Sequence, residues 1–351
     1  MTDLDQVVRY ATVNGRSVAW ASVGSGPAVV VGGWWCSHLG LDWKDNQFRR
    51  FVNLMASEHR VIRYDRPGAG LSDRSGPAPS SREQEVAVLA GLMDAIGLES
   101  ASLFGASSGS VVAAGFAAAL PNRVDRIVMY GGYAHGVDIA SPPTRDATVD
   151  IVRRHWGLGS RVLADLFMPG ASASERANFA KFQRQAATPE QAAAELAAVY
   201  RLDARDILSS IEAPALVLHR RGDRAIPFAL GQDLASHIPG ARFLALQGDE
   251  HFPWRGDSDA VAAATSRFLH GLGPKPVGDA SPTAPAHRKL SVRETEVLRL
   301  VASGCTDAQI ARKLALSTHT VHRHVANIRT KLDVPSRAAA AAWAAQHKRL
   351  Q

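Results

Sequence analysis

Leu103-Phe104-Gly105-Ala106-Ser107-Ser108-Gly109-Ser110 decides how the N-terminal region of this chain is read. An apolar run, Ser100–Gly105, has the length and composition of a buried strand, and a helical pattern, Ser108–Ala119, follows it directly. Gly105 and Gly109, two residues either side of Ser107, let the backbone turn sharply enough to hold Ser107 Oγ out at the top of the strand. In a chain with 29 glycines the G-x-S-x-G pattern says little by itself. Its setting between a strand and a helix makes Ser107 a candidate nucleophile.

The same alternation extends outward. Short apolar runs at Ser17–Val23, Ala28–Gly33, Arg60–Tyr64, Arg126–Gly131, Ala215–His219 and Arg242–Leu246 predict strands. Amphipathic runs at Asp45–Ser57, Arg82–Ile96, Phe228–Ile238 and Asp257–Leu269 predict helices. The expectation is a largely parallel sheet covered on both faces. From about 135 to 212 the text is mostly helical (Thr148–Trp156, Ser160–Phe167, Ala173–Ala186, Pro189–Tyr200), which predicts a cap over the C-terminal strand ends, where such sheets bind ligands. Asp223 falls just past one predicted strand, in Leu216-Val217-Leu218-His219-Arg220-Arg221-Gly222-Asp223. His251 falls past the next, in Gly248-Asp249-Glu250-His251-Phe252-Pro253. Serine is a weak nucleophile at its own pKa, imidazole takes its proton, and a carboxylate holds the imidazole tautomer. Asp249 and Glu250 compete for the carboxylate role, but one or two residues from His251 they are poorly placed to reach its ring.

Residues from about 10 to 271 resemble the α/β-hydrolase superfamily, whose triad has the chain order Ser107…Asp223…His251. The run from Arg60 through Asp65-Arg66-Pro67-Gly68-Ala69-Gly70 to Asp73 is similar to the family's post-strand loop, a structural turn. The resemblance implies an oxyanion hole made by the backbone N–H groups of Trp34 and Ser108. The family usually has His-Gly where this chain has Gly32-Gly33, and two indoles follow, Trp34 and Trp35. Trp34, Trp35, Trp156 and Trp254 read equally well as core and as pocket wall. The implied chemistry is serine hydrolysis of a carboxylic ester or lactone, with no cofactor and no metal.

Residues 273–286 carry four prolines and no apolar periodicity, so they predict a semi-stiff tether. The expected division is 1–271 for the sheet domain, 272–287 for the linker and 288–351 for a second module. There, Ser291 with Glu294 forms a capping-box pattern, Gly304 stops the first helix, Thr306 caps a second and Ser317 a third. This is the layout of a helix-turn-helix. Residues 288–351 hold twelve Lys/Arg against four Asp/Glu, a net +8, whereas the whole chain is +7. The basic surplus is therefore confined to this module, as phosphate contacts require. Val321, Val325, Ile328 and Leu332 form one apolar stripe; His319, Arg323, Ala326 and Thr330 lie opposite, flanked by His322 and Asn327. Arg323 suits a guanine edge and Lys331 the DNA backbone. Thr320 and His324 border the stripe as packing or phosphate contacts. The candidate DNA-binding set is Thr306, Ser317, His319, Thr320, His322, Arg323, Ala326, Asn327 and Lys331.

The run from Leu290 to Leu332 resembles the LuxR-type helix-turn-helix in the spacing of Glu294, Gly304, Ile310-Ala311, Leu314, Ser317, Thr320-Val321, His324, Ile328 and Lys331-Leu332. Where the family often has Lys, this chain has His322. The resemblance implies a fourth helix, Ser336 to about Lys348, as a dimer contact. A DNA-facing helix accounts for the His319, His322 and His324 trio more simply than a metal does. The expected fold is therefore an α/β-hydrolase sheet with a helical cap, then an all-α four-helix domain. The expected function is a transcriptional regulator that senses, and in one variant hydrolyses, a small carbonyl compound. Its partners would be duplex DNA, the small molecule, a second copy of the chain and RNA polymerase. An esterase or lactonase with an accessory DNA-binding tail is the alternative, and a non-catalytic receptor a third. No apolar run approaches the roughly 18 residues of a membrane span and no export signal leads the chain, so a cytoplasmic location is expected. Cys36 and Cys305, in different modules, imply no disulfide framework.

Overall fold

A computed structural model describes residues 4–32, 34–272, 290–314, 316–317, 320–321, 324–325, 328, 340–341 and 343–344. The chain divides into two compact units, Met1–Lys275 and Pro276–Gln351. The first is built on eight strands: β1 (Val7–Val13), β2 (Arg16–Val23), β3 (Ala28–Gly32), β4 (Arg60–Tyr64), β5 (Ala101–Ala106), β6 (Val124–Tyr130), β7 (Ala215–Arg220) and β8 (Arg242–Leu246). They lie in the order β1-β2-β4-β3-β5-β6-β7-β8. β1, β2 and β4 pair antiparallel, and every pairing from β4 through β8 is parallel. The chain runs from β3 out to β4 and returns to β5 on the other side of β3. The C-terminal ends of β3 and β5 thus form the switch point, where open α/β sheets bind ligands.

Alternation along the strands assigns the two faces. Val30, Leu103, Ile127, Met129 and Val217 enter one core, under the helices Arg82–Ala95, Gly109–Ala119 and Phe228–Ser236. Val29, Val31, Phe104, Val128, Tyr130, Leu216 and Leu218 enter the other, under Asn46–Ala56 and Ser258–Leu269. Both faces are buried, so the strands read as continuous apolar runs. Strand β1, absent from the sequence reading, joins β2 through Asn14-Gly15, whose φ values of 50° and 76° are those of a tight two-residue hairpin.

Between β6 and β7 come four helices: Pro142–Arg154, Trp156–Phe167, Ala173–Ala186 and Pro189–Arg201. The last two start with capping boxes, Ser172 with Glu175 and Thr188 with Gln191. This cap is tied to the sheet by buried polar contacts. Trp35 Nε1 donates to the Ala192 carbonyl at 3.2 Å, and Arg66 pairs with both Glu85 (2.6 Å) and the cap residue Glu195 (3.0 Å).

In the second unit, Ser291 and Glu294 form the expected capping box on helix Val292–Ala302. Gly304, at φ 79°, ends that helix: its N–H donates to the Val301 carbonyl and that of Cys305 to the Leu300 carbonyl, a Schellman motif. Thr306 and Gln309 cap Asp307–Leu314 reciprocally, and Ser317 Oγ accepts from Thr320 N at 3.0 Å. Val297, Leu298, Val301, Ile310, Val321 and Ile328 form the core, with Val325 packed on it. The predicted stripe points inward as expected, while Leu332 lies outside the described residues.

Candidate active site

Ser107 follows the last residue of β5 at φ 54°, the left-handed region that a non-glycine residue occupies only under constraint. Two contacts impose it. Its N–H donates to the Tyr130 carbonyl at the end of β6 (2.8 Å), and helix Gly109–Ala119 begins at once behind it. A methyl group on Gly105 would lie 2.2 Å from the Gly109 carbonyl oxygen and 2.8 Å from Ser110 N, so this position has room for glycine alone. Ser108, the N-cap residue, is fully buried.

Asp223 lies three residues past β7 and His251 five past β8. Asp223 Oδ2 is 2.8 Å from His251 Nδ1, while Oδ1 accepts the backbone N–H groups of Ala225 (2.9 Å) and Ile226 (3.1 Å). Burial opposes the ionised carboxyl, but the His251 imidazole and these hydrogen bonds outweigh it and hold Asp223 below the usual carboxylate range. Both residues adjoin Gly131: the position of an added Cβ there is 3.4 Å from Asp223 Oδ2 and 3.5 Å from His251 Nδ1. The Ser107 backbone is thus bonded to Tyr130, and the His251–Asp223 pair lies beside Gly131, the next residue. The carboxylate bonded to His251 is that of Asp223, and not that of its sequence neighbours Asp249 or Glu250. Glu250 is raised from its ordinary value by burial and by Asp249.

Two supporting residues escaped the sequence reading. Arg220, fully buried at the end of β7, donates to the carbonyls of Glu250 (3.0 Å) and Phe252 (3.2 Å) and also to that of Arg255, which fixes the loop carrying His251. His219, also fully buried, places Nε2 2.9 Å from the Ile226 carbonyl and 3.6 Å from Asp223 Oδ2. Burial lowers its affinity for a proton, so it serves as a neutral donor beside the carboxylate. Neither has a sequence signal beyond its position at a strand end.

Trp34 and Trp35 are both core and wall. Trp34 packs against Phe48 and Trp254, with ring centroids 6.3 and 5.6 Å away, and Trp35 stacks edge-on to Trp156 at 6.0 Å. A cavity of about 400 Å³ opens beside them, walled by Trp34, Phe48, Phe179, Phe182, Phe252 and Trp254 among others. Ser107, Asp223 and His251 are not among its walls. It adjoins His251 through Phe252, whose ring centroid is 6.0 Å from that of His251. Arg255 borders the cavity and bridges Asp45 (3.0 Å) to Glu175 of the cap (2.8 Å). Trp156 instead donates Nε1 to the Ala187 carbonyl inside the cap.

Residues 28–264 match the alpha/beta hydrolase family. The chain belongs to that family. Residues 288–344 match the bacterial regulatory proteins of the luxR family, so a hydrolase-type region and a luxR-type region share one chain. A 2-hydroxy-6-oxononadienedioate/2-hydroxy-6-oxononatrienedioate hydrolase of Cupriavidus pinatubonensis is 31% identical over 216 residues, which cover 56% of this chain and 71% of that protein. A pimeloyl-[acyl-carrier protein] methyl ester esterase of Xanthomonas campestris is 28% identical over 71% of this chain and 98% of its own length. Among solved structures, the enol-lactonase of Burkholderia xenovorans LB400 superposes with a TM-score of 0.63 at 27% identity, covering 75% of this chain and all of that one. Within the candidate DNA-binding set, Thr306, Ser317 and Thr320 occupy helix starts. His319, His322, Arg323, Ala326, Asn327 and Lys331 lie outside the described residues. Among the described residues no helix is long and apolar enough to cross a membrane.

Proposed function

We propose that this chain is a DNA-binding transcriptional regulator whose hydrolase unit binds and cleaves a small ester or lactone. The observation that carries the catalytic half is the meeting of the Ser107 turn and the His251–Asp223 pair at Tyr130–Gly131. In this reading Ser107 Oγ bonds to the substrate carbonyl carbon as its proton passes to His251 Nε2. Asp223 keeps the other proton on Nδ1 and stabilises the imidazolium. The N–H groups of Trp34 and Ser108 receive the oxyanion. The His251 proton then goes to the leaving alkoxide as the acyl–oxygen bond breaks, and a water molecule repeats the sequence to release the acid. An enol-lactonase and a methyl ester esterase among the relatives support an acyl–oxygen bond as the target. The aromatic cavity beside the site suits an unsaturated or ring-bearing substituent.

The regulatory half rests on the luxR-family match and the +8 charge of residues 288–351. In this reading Arg323 contacts a base edge, Lys331 the DNA backbone, and a homodimer formed through residues 336–348 engages duplex DNA beside RNA polymerase. The 98% coverage of a free-standing esterase favours a second reading, an enzyme first with an accessory DNA-binding tail. One experiment separates the two. Ser107 is tested for mass-labelling by a fluorophosphonate, and DNA affinity is measured for Ser107→Ala on a duplex selected from a random pool, with and without a non-hydrolysed lactone bound. A regulator shifts DNA affinity roughly 5- to 150-fold on occupancy. Unchanged affinity at full occupancy leaves the enzyme-first reading; no labelling of Ser107 removes catalysis from both.

A further inference from the structure

Far from Ser107, at the N-terminal end of β4, a second group of side chains converges. Glu58 and His59 immediately precede that strand, and His270 caps the C-terminal end of helix Ser258–Leu269. Each offers one ligand atom, and the three atoms lie within 4.8 Å of one another. His270 Nε2 is 3.0 Å from Glu58 Oε2, and the Ser266 hydroxyl donates to the same oxygen. The His59 and His270 rings are 4.9 Å apart, tilted by 41°.

The histidine–glutamate hydrogen bond accounts for part of this, but not for His59. That ring is only 2% exposed, and its Nδ1 has no hydrogen-bond partner. Buried polar atoms are nearly always partnered, and an exception calls for a physical reason.

We propose that Glu58, His59 and His270 form a binding site for a divalent transition-metal ion, best matched by zinc. Two imidazoles and one carboxylate are borderline donors that suit Zn²⁺, whereas Ca²⁺ and Mg²⁺ prefer all-oxygen shells. Tetrahedral bonds of about 2.0–2.2 Å place donors about 3.3–3.6 Å apart, so the group must close by up to about 1.5 Å. The side chains that need to move have room, because those of His270 and Glu58 are 40% and 54% exposed. Buried His59 is the fixed point. A bound ion staples the segment before β4 to the last helix of the hydrolase unit, two residues before Leu272, with the fourth position left to water.

The test uses the full chain, stripped with a chelator and dialysed, and titrated with zinc against a chromophoric competitor. Wild type is expected to bind one ion more tightly than Glu58→Gln and His270→Ala, each at least about tenfold weaker. Co²⁺ is expected to give the intense visible bands of a tetrahedral site in wild type alone. Because both altered side chains lie on the surface, far from Ser107, ester hydrolysis and the far-ultraviolet dichroism should be unchanged, which confirms folding. Equal affinity in wild type and both variants overturns the proposal, as other histidines would then hold the ion. So does a wild-type protein that binds no zinc at micromolar concentration, or one whose Co²⁺ spectrum stays that of the hydrated ion.

Discussion

Replacing Asp223 by asparagine keeps the shape of the side chain and removes one acceptor, and the structure says which acceptor must be lost. Oδ1 accepts two backbone N–H groups, from Ala225 and Ile226, while Oδ2 faces His251 Nδ1 at 2.8 Å. Asparagine has a single oxygen. If that oxygen stays with the backbone, the amide N–H₂ faces Nδ1, which must then become an acceptor. The imidazole proton moves to Nε2, where it blocks transfer from Ser107. If the amide flips, its N–H₂ confronts two buried donors, and leaving both unpaired costs about 2–6 kcal/mol. The first orientation wins, so the fold survives and the tautomer is wrong. The expected loss in kcat is about 10⁴-fold, or about 5.4 kcal/mol in the barrier, with the urea midpoint near neutral pH lowered only by the stability that the depressed Asp223 carboxylate contributes there. Hydrolysis of a p-nitrophenyl ester, with Ser107→Ala as the zero, measures the first quantity and a urea titration the second. Asp223→Asn retaining a tenth or more of wild-type kcat would falsify the assignment of Asp223 as the carboxylate that orients His251.

Three further outcomes are expected. Gly105→Ala sets a methyl group 2.2 Å from the Gly109 carbonyl oxygen and 2.5 Å from its carbon, both backbone atoms. It should cost about 3 kcal/mol in a denaturant titration and displace Ser107; a variant of wild-type stability and activity would mean the turn is not tight. Burial, with Glu195 nearby, pushes Glu85 up to about 7 against the pull of Arg66. A carboxyl raised on folding loses stability as pH rises from its ordinary range through the folded value, so Glu85→Gln should lessen the stability loss between pH 5 and 8 by on the order of 1–3 kcal/mol, read from urea midpoints across that range. In the second unit, Arg323→Ala should weaken DNA binding by about 1–3 kcal/mol at one base position, while Lys331→Ala should weaken all sequences alike and flatten the salt slope; identical salt slopes would remove Lys331 from the interface.

The sheet was legible because its strands are buried on both sides. Val29-Val30-Val31 and Leu216-Val217-Leu218 leave no polar position to confuse the pattern, and the predicted edges fall within two residues of the observed ones. Strand β1 was not legible by the same test. It is an edge strand whose Val7 and Tyr10 are 58% and 59% exposed, so it lacks the apolar run that marks the others. Asn14-Gly15 carried the hairpin signal instead, through a turn that only residues tolerant of positive φ adopt. The first cap helix was expected from Thr148 and begins at Pro142, because the Pro142-Pro143 pair reads as a loop although proline is favoured in a first helical turn.

The candidate triad could be read from chain order because each member follows a recognisable strand, and strand ends are local features. The groups that support it could not. Arg220 holds the His251 loop through backbone carbonyls, which carry no sequence signature, and the aromatic cavity joins Trp34 near β3 to Phe179 in the cap and Phe252 near β8. The buried Arg66–Glu85–Glu195 cluster likewise gathers residues that in sequence pass for ordinary surface charges. His270 and Glu58 stand 212 residues apart, and each alone resembles a solvated helix end. Periodicity reports which side of an element is buried; it cannot report which element lies across the gap. Convergence of that kind is fixed by topology, here by packing Asn46–Ala56 against Ser258–Leu269 on one face of the sheet. Chemistry assembled across such a packing has to be sought in the fold, whereas chemistry at a strand end can be sought in the chain.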